Sequence, residues 1–248
     1  MKINIAINGF GRIGRLTLRA FLERKIKDFN IVAINDLGDI DSNLHLLKYD
    51  TVHGSLNETF SKKNQNISIG DQNIFFSSEA NPLNLPWKKL KVELVIESTG
   101  IFTKREKAEM HLKAGAKKVL ISAPSVDPDI TVVYGINQKE IKNNHNIISN
   151  GSCTTNCLAP IAFLMDQHLG IKSGYMTTVH SVTGDQNTID TLHKDLRRAR
   201  NSLISIIPTS TGAARAVGEV LPNLKGKIDG SAIRVPTPNV SLVDFKFY

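Results

Sequence analysis

The sequence predicts an α/β protein in which a doubly wound, mostly parallel sheet precedes a second, smaller domain. Apolar strand-like runs alternate with helical patterns over residues 1 to about 150. A glycine-rich turn at residues 9–14 joins the first of these runs to the first helix. Parallel strands need a crossover segment between them, so the alternation predicts strand–helix–strand units on one sheet. We therefore expect one domain over residues 1–150 and another over residues 151–248.

The first domain is predicted from its apolar periodicity. Residues 2–8 and 30–35 are expected to be buried strands, and residues 12–22 carry a helical pattern between them. The elements expected to complete the domain are a helix over 41–50, a small β excursion within 61–84, strands over 92–97, 118–122 and 132–137, and a helix over 104–114. In the second domain we expect a helix that begins at Cys153, strands over 175–182, 231–235 and 240–247, a loop over 183–200 and a helix over 213–221.

The first turn and the acid after the second strand indicate a dinucleotide site. A lone glycine pattern is weak, because many turns need glycine. Here Gly9, Gly11 and Gly14 follow a strand and open a helix, a setting in which the backbone can approach a pyrophosphate. Asp36 has the spacing of the acid that binds ribose hydroxyls and repels a 2′-phosphate. The alternative for Asp36 is an ordinary loop acid before Gly38. This setting favours NAD over NADP as the cofactor.

A cysteine in the first turn of a predicted helix is the candidate nucleophile. Cys153 follows the strand-like residues 146–148 and good capping residues, including Ser152. Unpaired N–H groups at a helix start stabilise a thiolate, the form that attacks carbonyls. The alternative is a small buried hydrophobe, the role that most cysteines have. Cys157, one turn on, is expected to pack the helix, and the spacing of Cys and His residues predicts no metal site.

The candidate base is His180, which lies at the end of the strand-like residues 175–179. Strand ends are where side chains reach a cleft. For any one of the seven histidines, a solvated or core imidazole is the plain alternative. His180 is distinguished only by its position.

Composition excludes few classes of protein. Of the 248 residues, 41% are hydrophobic and 22% charged, as in ordinary globular proteins. The net charge of +8 is compatible with nucleic acid, but the basic residues are dispersed and no nucleic-acid-binding motif is present. A positive charge equally suits phosphorylated ligands. We expect neither a membrane partner nor a signal peptide. Two cysteines, one needed as a free thiol, favour a cytoplasmic protein.

Several long motifs, in order along the chain, resemble those of phosphorylating glyceraldehyde-3-phosphate dehydrogenases. The matching segments are NGFGRIGR at 8–15, YDTVHG at 49–54, ESTG at 97–100, SNGSCTTNCLAP at 149–160, IPTSTGAA at 207–214 and RVPTP at 234–238. The resemblance implies a Rossmann-type NAD-binding domain and an α+β catalytic domain with a mostly antiparallel sheet. It also implies a glycolytic, cytoplasmic homotetramer that takes glyceraldehyde 3-phosphate, NAD and inorganic phosphate.

The resemblance further implies roles for individual residues. The residues implied in cofactor binding are Gly9, Gly11, Arg12, Ile13, Asp36, Thr99 and Ser122. Thr183 and Arg234 match contacts to the substrate phosphate, and Arg198 matches a contact to either anion. The residues implied around the attacking phosphate are Ser152, Thr154, Thr211 and Gly212, and Cys153 is implied to bind the substrate as the nucleophile.

The implied chemistry begins with a hemithioacetal on Cys153, with His180 accepting the hydroxyl proton as hydride passes to NAD. Inorganic phosphate then cleaves the resulting thioester to give 1,3-bisphosphoglycerate. The alternatives are an erythrose-4-phosphate dehydrogenase, which shares these motifs, and an inactive fragment that binds NAD or RNA.

Three features depart from the family pattern. Members of the family continue well beyond Tyr248, so we expect a C-terminally truncated chain with an exposed sheet face. Ala80 stands where many members have an arginine near the adenine. Thr191 and Leu192 replace a Leu-Pro pair common in NAD-preferring bacterial members.

Overall fold

In the computed structural model, which describes residues 2–248, the alternating runs of the first half form strands of one sheet. The chain divides into two units, residues 1–131 with 141–150 and residues 132–140 with 151–248. The strands of the first unit are β1 Ile3–Asn8, β2 Phe29–Asn35, β3 Tyr49–Asp50, β4 Gly54–Ser55, β5 Phe60–Lys63, β6 Asn66–Ile69, β7 Gln72–Ser77, β8 Leu94–Glu97, β9 Lys118–Ile121, β10 Ile130–Thr131 and β11 Ile147–Ser149. Its helices are α1 Arg12–Glu23, α2 Ile40–Lys48 and α3 Arg105–Lys113.

Nine of these strands form one sheet in the order β10-β11-β9-β8-β1-β2-β7-β6-β5. The pairs from β10 to β7 are parallel, and the two pairs at the β5 edge are antiparallel. The doubly wound α/β fold is therefore confirmed. The carboxyl ends of the central strands meet at one edge, where α/β proteins place their ligands.

The core of the first unit follows from the apolar pattern. Ile5 and Ile7 of β1 are buried with Leu18 and Phe21 of α1 and Ile34 of β2. Full burial of one such side chain stabilises the fold by about 1.5–3 kcal/mol. Helix α1 therefore docks through one apolar stripe, and its opposite face remains polar.

The prediction of a strand over residues 132–137 is wrong. The structure has a series of turns there, in which the Val133 N–H donates to Asn137 Oδ1 at 2.9 Å. The N–H groups of Ile136 and Asn137 donate to Val133 O. Asparagine side chains that bond nearby backbone groups compete with strand pairing, and one such bond outweighs the apolar pattern.

The second unit is built around a four-stranded sheet. Its elements are α4 Cys153–Leu169, β12 Gly174–Ser181, β13 Ile207–Ser210, α5 Ala213–Val220, β14 Ile228–Val235 and β15 Ser241–Phe247. The strand order is β13-β14-β12-β15, and only β12 and β14 pair in parallel. The expectation of a mostly antiparallel sheet is confirmed. Leu158 and Ala162 of α4 pack with Val217 of α5 and Met176 of β12 in one core.

Two kinds of element lie outside what the sequence pattern predicts. Strand β13 contains Pro208, which cannot donate a hydrogen bond to a ladder and is tolerated because β13 is an edge strand. Strands β3 and β4 have two residues each, too few to show a period. Within residues 2–248, none of the helices has both the length and the apolar character that a membrane span needs.

Candidate active site and cofactor cleft

The start of α4 holds the candidate nucleophile. Ser152 is the N-cap, and its Oγ accepts a hydrogen bond from the Thr155 N–H at 3.0 Å. Cys153 is the first helical residue, so its N–H has no partner within the helix. The thiol is exposed and lies where the helix dipole favours a negative charge.

The two candidate catalytic side chains are in direct contact. Cys153 Sγ lies 3.2 Å from His180 Nε2. This hydrogen bond, with smaller contributions from the His180 charge and Thr154, lowers the pKa of the Cys153 thiol, although partial desolvation of the sulfur by its neighbours opposes the shift. The pair can therefore supply a thiolate and a proton acceptor at one point.

The other ring nitrogen of His180 has two competing partners. His180 Nδ1 lies 2.7 Å from Ser181 O and 2.7 Å from Arg234 Nη1. A guanidinium only donates, so its bond to Nδ1 needs a lone pair there, whereas the bond to Ser181 O needs a proton. The contact with Arg234 arises from register, because His180 of β12 pairs with Arg234 of β14. Movement of Arg234 would thus change which nitrogen of His180 carries the proton.

The two candidate anion-binding arginines lie near this pair. Burial, and then the nearby charge of Arg198, lowers the pKa of Arg234, and its Nε has no hydrogen-bond partner among residues 2–248. Arg198 forms an ion pair with Asp185 and donates to Ser210 O at 3.3 Å. Burial opposes ionisation of Asp185, but hydrogen bonds from His193 and Arg198 outweigh burial and lower its pKa. The guanidinium of Arg198 is therefore already partly neutralised.

The remaining anion candidates make local hydrogen bonds. The Thr183 N–H and hydroxyl both donate to Gln186 Oε1, at 2.9 and 3.1 Å. The Thr211 hydroxyl accepts from the Ala213 N–H at 3.1 Å, at the start of α5. Gly212 is the N-cap of that helix, and a Cβ there would meet nothing within 4 Å. These contacts hold the candidate donors in place at one helix start and one loop.

Direct contacts in the structure join Cys153 with His180, and His180 with Arg234. Thr154 also hydrogen bonds with Cys153. Cys157 is exposed, so the expectation that it packs the helix is wrong. Gln186 was missed by the sequence interpretation, because nothing in a loop sequence marks which amide will accept from Thr183.

In the first unit, the glycine turn leaves no room for side chains at two of its positions. Gly9 has φ +87°, and a Cβ there would lie 2.6 Å from Thr99 N. A Cβ on Gly14 would lie 2.2 Å from Gly9 O, whereas one on Gly11 would meet nothing within 4 Å. Gly9 and Gly14 are thus required by packing, and Gly11 leaves the helix start open to a ligand.

The side chain of Asp36 is held beside this turn. Its Oδ2 accepts from the Phe10 N–H at 2.7 Å and its Oδ1 from the Gly38 N–H at 2.8 Å. A carboxylate retains further lone pairs, so Asp36 can still accept from ribose hydroxyls.

Next to Asp36 is a cleft of about 480 Å³. Its lining combines polar atoms at the strand ends with apolar walls. The lining residues are Asn8, Gly9, Gly11, Asn35, Asp36, Leu37, Glu79, Ala80, Pro82, Ser98, Thr99, Ile101 and Phe102. Apolar walls and a few placed polar groups suit a nucleoside, and the open helix start at Gly11 suits its phosphates. The residues present therefore fit NAD.

The other cofactor candidates lie around the same strand ends. Arg12 forms an ion pair with Asp50, Nη1 to Oδ2 3.1 Å, and Ile13 is exposed. The Ser122 N–H and hydroxyl donate to Glu97 O at 3.0 and 3.1 Å. The sequence interpretation missed Glu97 itself, as well as Asn8 and Asn35, although each is the last residue of a strand.

Comparison with known proteins gives matches to both units. The family model of the glyceraldehyde 3-phosphate dehydrogenase NAD-binding domain matches residues 3–105, and that of its C-terminal domain matches residues 152–248. A glyceraldehyde-3-phosphate dehydrogenase of Xanthobacter flavus is 54% identical over 247 residues, covering 100% of this chain and 74% of the relative.

Further relatives give the same picture. A glyceraldehyde-3-phosphate dehydrogenase of Zymomonas mobilis is 56% identical over 248 residues, covering 100% of this chain and 74% of the relative. One of Geobacillus stearothermophilus is 56% identical over 245 residues, covering 98% of this chain and 72% of the relative. On these matches the chain belongs to the glyceraldehyde-3-phosphate dehydrogenase family of NAD-dependent oxidoreductases of glycolysis.

Proposed function

We propose that this chain oxidises glyceraldehyde 3-phosphate with NAD and inorganic phosphate to 1,3-bisphosphoglycerate, with Cys153 as nucleophile and His180 as base. The observation that carries the proposal is the 3.2 Å contact between Cys153 Sγ and His180 Nε2 at the start of α4. A thiol with a lowered pKa beside an imidazole is suited to attack an aldehyde.

In the first step, the Cys153 thiolate forms a bond to the aldehyde carbon and the carbonyl π electrons move to oxygen. The N–H of Cys153, at the helix start, and a proton on His180 Nε2 are the donors for this oxyanion. Protonation gives a hemithioacetal on Cys153.

In the second step, His180 Nε2 accepts the hydroxyl proton as the carbon is oxidised to a thioester. NAD, when bound, supplies the hydride acceptor. For His180 to accept at Nε2, its remaining proton must lie on Nδ1, where Ser181 O accepts it at 2.7 Å. The oxygen of inorganic phosphate then attacks the thioester carbon and the Cys153 thiolate leaves.

Two anions must be bound for this sequence. We assign the substrate phosphate to Arg234 and Thr183, the attacking phosphate to Ser152, Thr154, Thr211 and Gly212, and Arg198 to either. The hydroxyl of Thr211 accepts from Ala213, which leaves its hydrogen to donate to an anion. The hydroxyl hydrogen of Thr183 donates to Gln186, so a phosphate contact from Thr183 requires the hydroxyl to rotate.

We assign the cofactor to Gly9, Gly11, Arg12, Ile13, Asp36, Thr99 and Ser122. The support for this assignment is the cleft and the open helix start at Gly11. We also propose a homotetramer, because loop 183–206 exposes several large apolar side chains that an interface would cover. These are Ile189, Leu192, Leu196, Leu203, Ile204 and Ile206. Two free cysteines fit a cytoplasmic location.

The test is NADH formation from glyceraldehyde 3-phosphate, with and without inorganic phosphate, and from erythrose 4-phosphate. We expect phosphate-dependent turnover that is lost in Cys153→Ser and retained in Cys157→Ser, its matched control one helical turn away. Turnover by Cys153→Ser would exclude Cys153 as the nucleophile. A higher kcat/KM for erythrose 4-phosphate would assign the chain to that substrate instead.

A further inference from the structure

A row of polar side chains crosses the carboxyl ends of four adjacent parallel strands. Ser77, Asn35, Asn8 and Glu97 are the last residues of β7, β2, β1 and β8. They are neighbours in register, Asn35 with Ser77, Asn8 with Asn35, and Asn8 with Glu97. Paired residues in a sheet point to the same face, so the four side chains lie side by side.

Hydrogen bonds along this row all point the same way. The Ser77 hydroxyl donates to Asn35 Oδ1 at 2.9 Å, Asn35 Nδ2 donates to Asn8 Oδ1 at 2.8 Å, and Asn8 Nδ2 donates to Glu97 Oε2 at 2.6 Å. Each amide accepts from one side and donates to the other. The orientation of Asn8 therefore depends on an acceptor at position 97. Asn35 is also held by the Glu79 backbone, because its Oδ1 accepts from the Glu79 N–H and its Nδ2 donates to Glu79 O, both at 2.9 Å.

The carboxylate of Glu97 receives donors at both of its oxygens. Oε1 accepts from the N–H of Thr99 at 2.8 Å and from the Thr99 hydroxyl. Oε2 accepts from Asn8 and lies 3.0 Å from His111 Nε2. Asn8, Glu97 and His111 are all fully buried.

A hydrogen bond from Trp87 determines which nitrogen of His111 carries the proton. Trp87 Nε1 lies 3.0 Å from His111 Nδ1, and an indole nitrogen can only donate. His111 Nδ1 is therefore a lone pair, and Nε2 carries the proton that it donates to Glu97. The N–H groups of Thr99, Asn8 and His111 then all donate to the Glu97 carboxyl group, and the Thr99 hydroxyl completes the set.

This arrangement reaches the cleft. Asn8, Asn35 and Thr99 line it, whereas Glu97, His111 and Trp87 lie behind them. A buried charge is weak support for stability, since apolar residues of the same size often serve as well. Its contacts here instead hold Asn8 and Thr99, two polar residues that a ligand in the cleft would meet.

We propose that Glu97 is a positioning residue for the dinucleotide, and that its carboxyl group fixes Thr99 and Asn8 in the orientations that bind the cofactor. The inference rests on the proposed cofactor site. It has a consequence for Thr99, whose hydroxyl donates to Glu97 and accepts from the Ile101 N–H at 3.0 Å. The Thr99 hydroxyl has only a lone pair left for the ligand, so its partner must be an O–H or N–H donor such as a ribose hydroxyl.

The substitution Glu97→Gln separates charge from shape. A glutamine side chain has the same size, but only its oxygen can accept a hydrogen bond. Its NH2 group must therefore point either at the N–H of Thr99 or at the N–H groups of Asn8 and His111, where it finds no acceptor. Glu93→Gln is the matched control, because Glu93 precedes the same strand but is only half-buried and pairs with Lys117 at the surface.

Calorimetric titration with NAD gives the dissociation constant of each variant. We expect Glu97→Gln to bind NAD about tenfold more weakly, which is the effect of losing one hydrogen bond to a charged group. Glu93→Gln should change the dissociation constant for NAD by less than about twofold. The KM for NAD should rise with the KM for glyceraldehyde 3-phosphate unchanged. A folded Glu97→Gln variant that binds NAD like the parent would overturn the proposal, as would an equal loss in Glu93→Gln.

A second measurement needs no variant. Nitrogen NMR of histidine-labelled chain reports the tautomer of His111, and we expect the proton on Nε2 with or without NAD. A proton on Nδ1, or on both nitrogens, would contradict the donor arrangement around Glu97. Failure of the parent chain to bind NAD would reject the cofactor site itself, an outcome distinct from equal binding by parent and Glu97→Gln.

Discussion

At the scale of single residues, His180 performs separate tasks with its two nitrogens. Nε2 contacts the Cys153 sulfur at 3.2 Å, and Nδ1 contacts both Ser181 O and Arg234. If Arg234 binds the substrate phosphate as proposed, it moves away from Nδ1, and the Nδ1–H then donates to Ser181 O. Substrate binding and the position of the proton on His180 would thereby be linked.

The Cys153–His180 contact predicts the reactivity of the thiol. His180 lowers the pKa of Cys153, so the thiolate persists to lower pH than in an ordinary cysteine. In His180→Asn the pH profile of alkylation by iodoacetamide should move to higher pH, and at neutral pH alkylation should slow by about tenfold. The comparison is made in a Cys157→Ser background, where Cys153 is the only cysteine left. An unchanged profile would show that His180 does not set the thiol's ionisation.

At the scale of elements, two glycines at the junction of β1 and α1 differ in the space around them. Gly14 packs against the backbone of Gly9, where a Cβ would come within 2.2 Å of the carbonyl oxygen. Gly11 is the N-cap of α1, and a Cβ there would meet nothing within 4 Å. One glycine thus permits close packing, and the other permits close approach of a ligand.

Alanine at these two positions should separate stability from cofactor binding. Gly14→Ala should lower the free energy of unfolding by about 1–3 kcal/mol, the range for overpacking that displaces the backbone. Gly11→Ala should cost at most about 1 kcal/mol through the cap while weakening NAD binding. Urea unfolding and NAD titration measure the two quantities. Equal stability losses in the two variants would contradict the packing argument.

At the scale of the whole molecule, each unit has its own core and its own candidate site. The single tryptophan, Trp87, is fully buried in the first unit, so its emission follows that unit alone. Access of iodoacetamide to Cys153 reports on the second unit.

NAD should stabilise the unit that Trp87 reports. At a free NAD concentration 100-fold above the dissociation constant, ligand linkage adds about 2.7 kcal/mol to the free energy of unfolding. NADP at the same concentration should add less, because the Asp36 carboxylate repels a 2′-phosphate. Urea titrations followed by Trp87 emission measure both shifts. An equal shift with NADP would show that Asp36 does not discriminate between NAD and NADP. In Asp36→Asn the stabilisation by NADP should come closer to that by NAD.

The succession of elements was largely predictable, because periodic apolar runs must bury one face. The helix at Cys153 and the first strand–turn–helix were predicted within a residue or two. Prediction failed at residues 132–137, where the Val133 N–H donates a hydrogen bond to the Asn137 side chain instead of pairing with a strand. It also failed for β13, which an edge position allows to contain Pro208.

Periodicity, glycine spacing and long motifs are local properties of the chain, and the fold class, the family and the candidate nucleophile could be predicted from them. Which distant side chains meet depends on the tertiary structure. Register between β12 and β14 places Arg234 on His180, and register across β7, β2, β1 and β8 aligns the polar row that ends at Glu97. Those contacts depend on pairing between strands far apart in the chain, which the order of residues along any one strand does not specify.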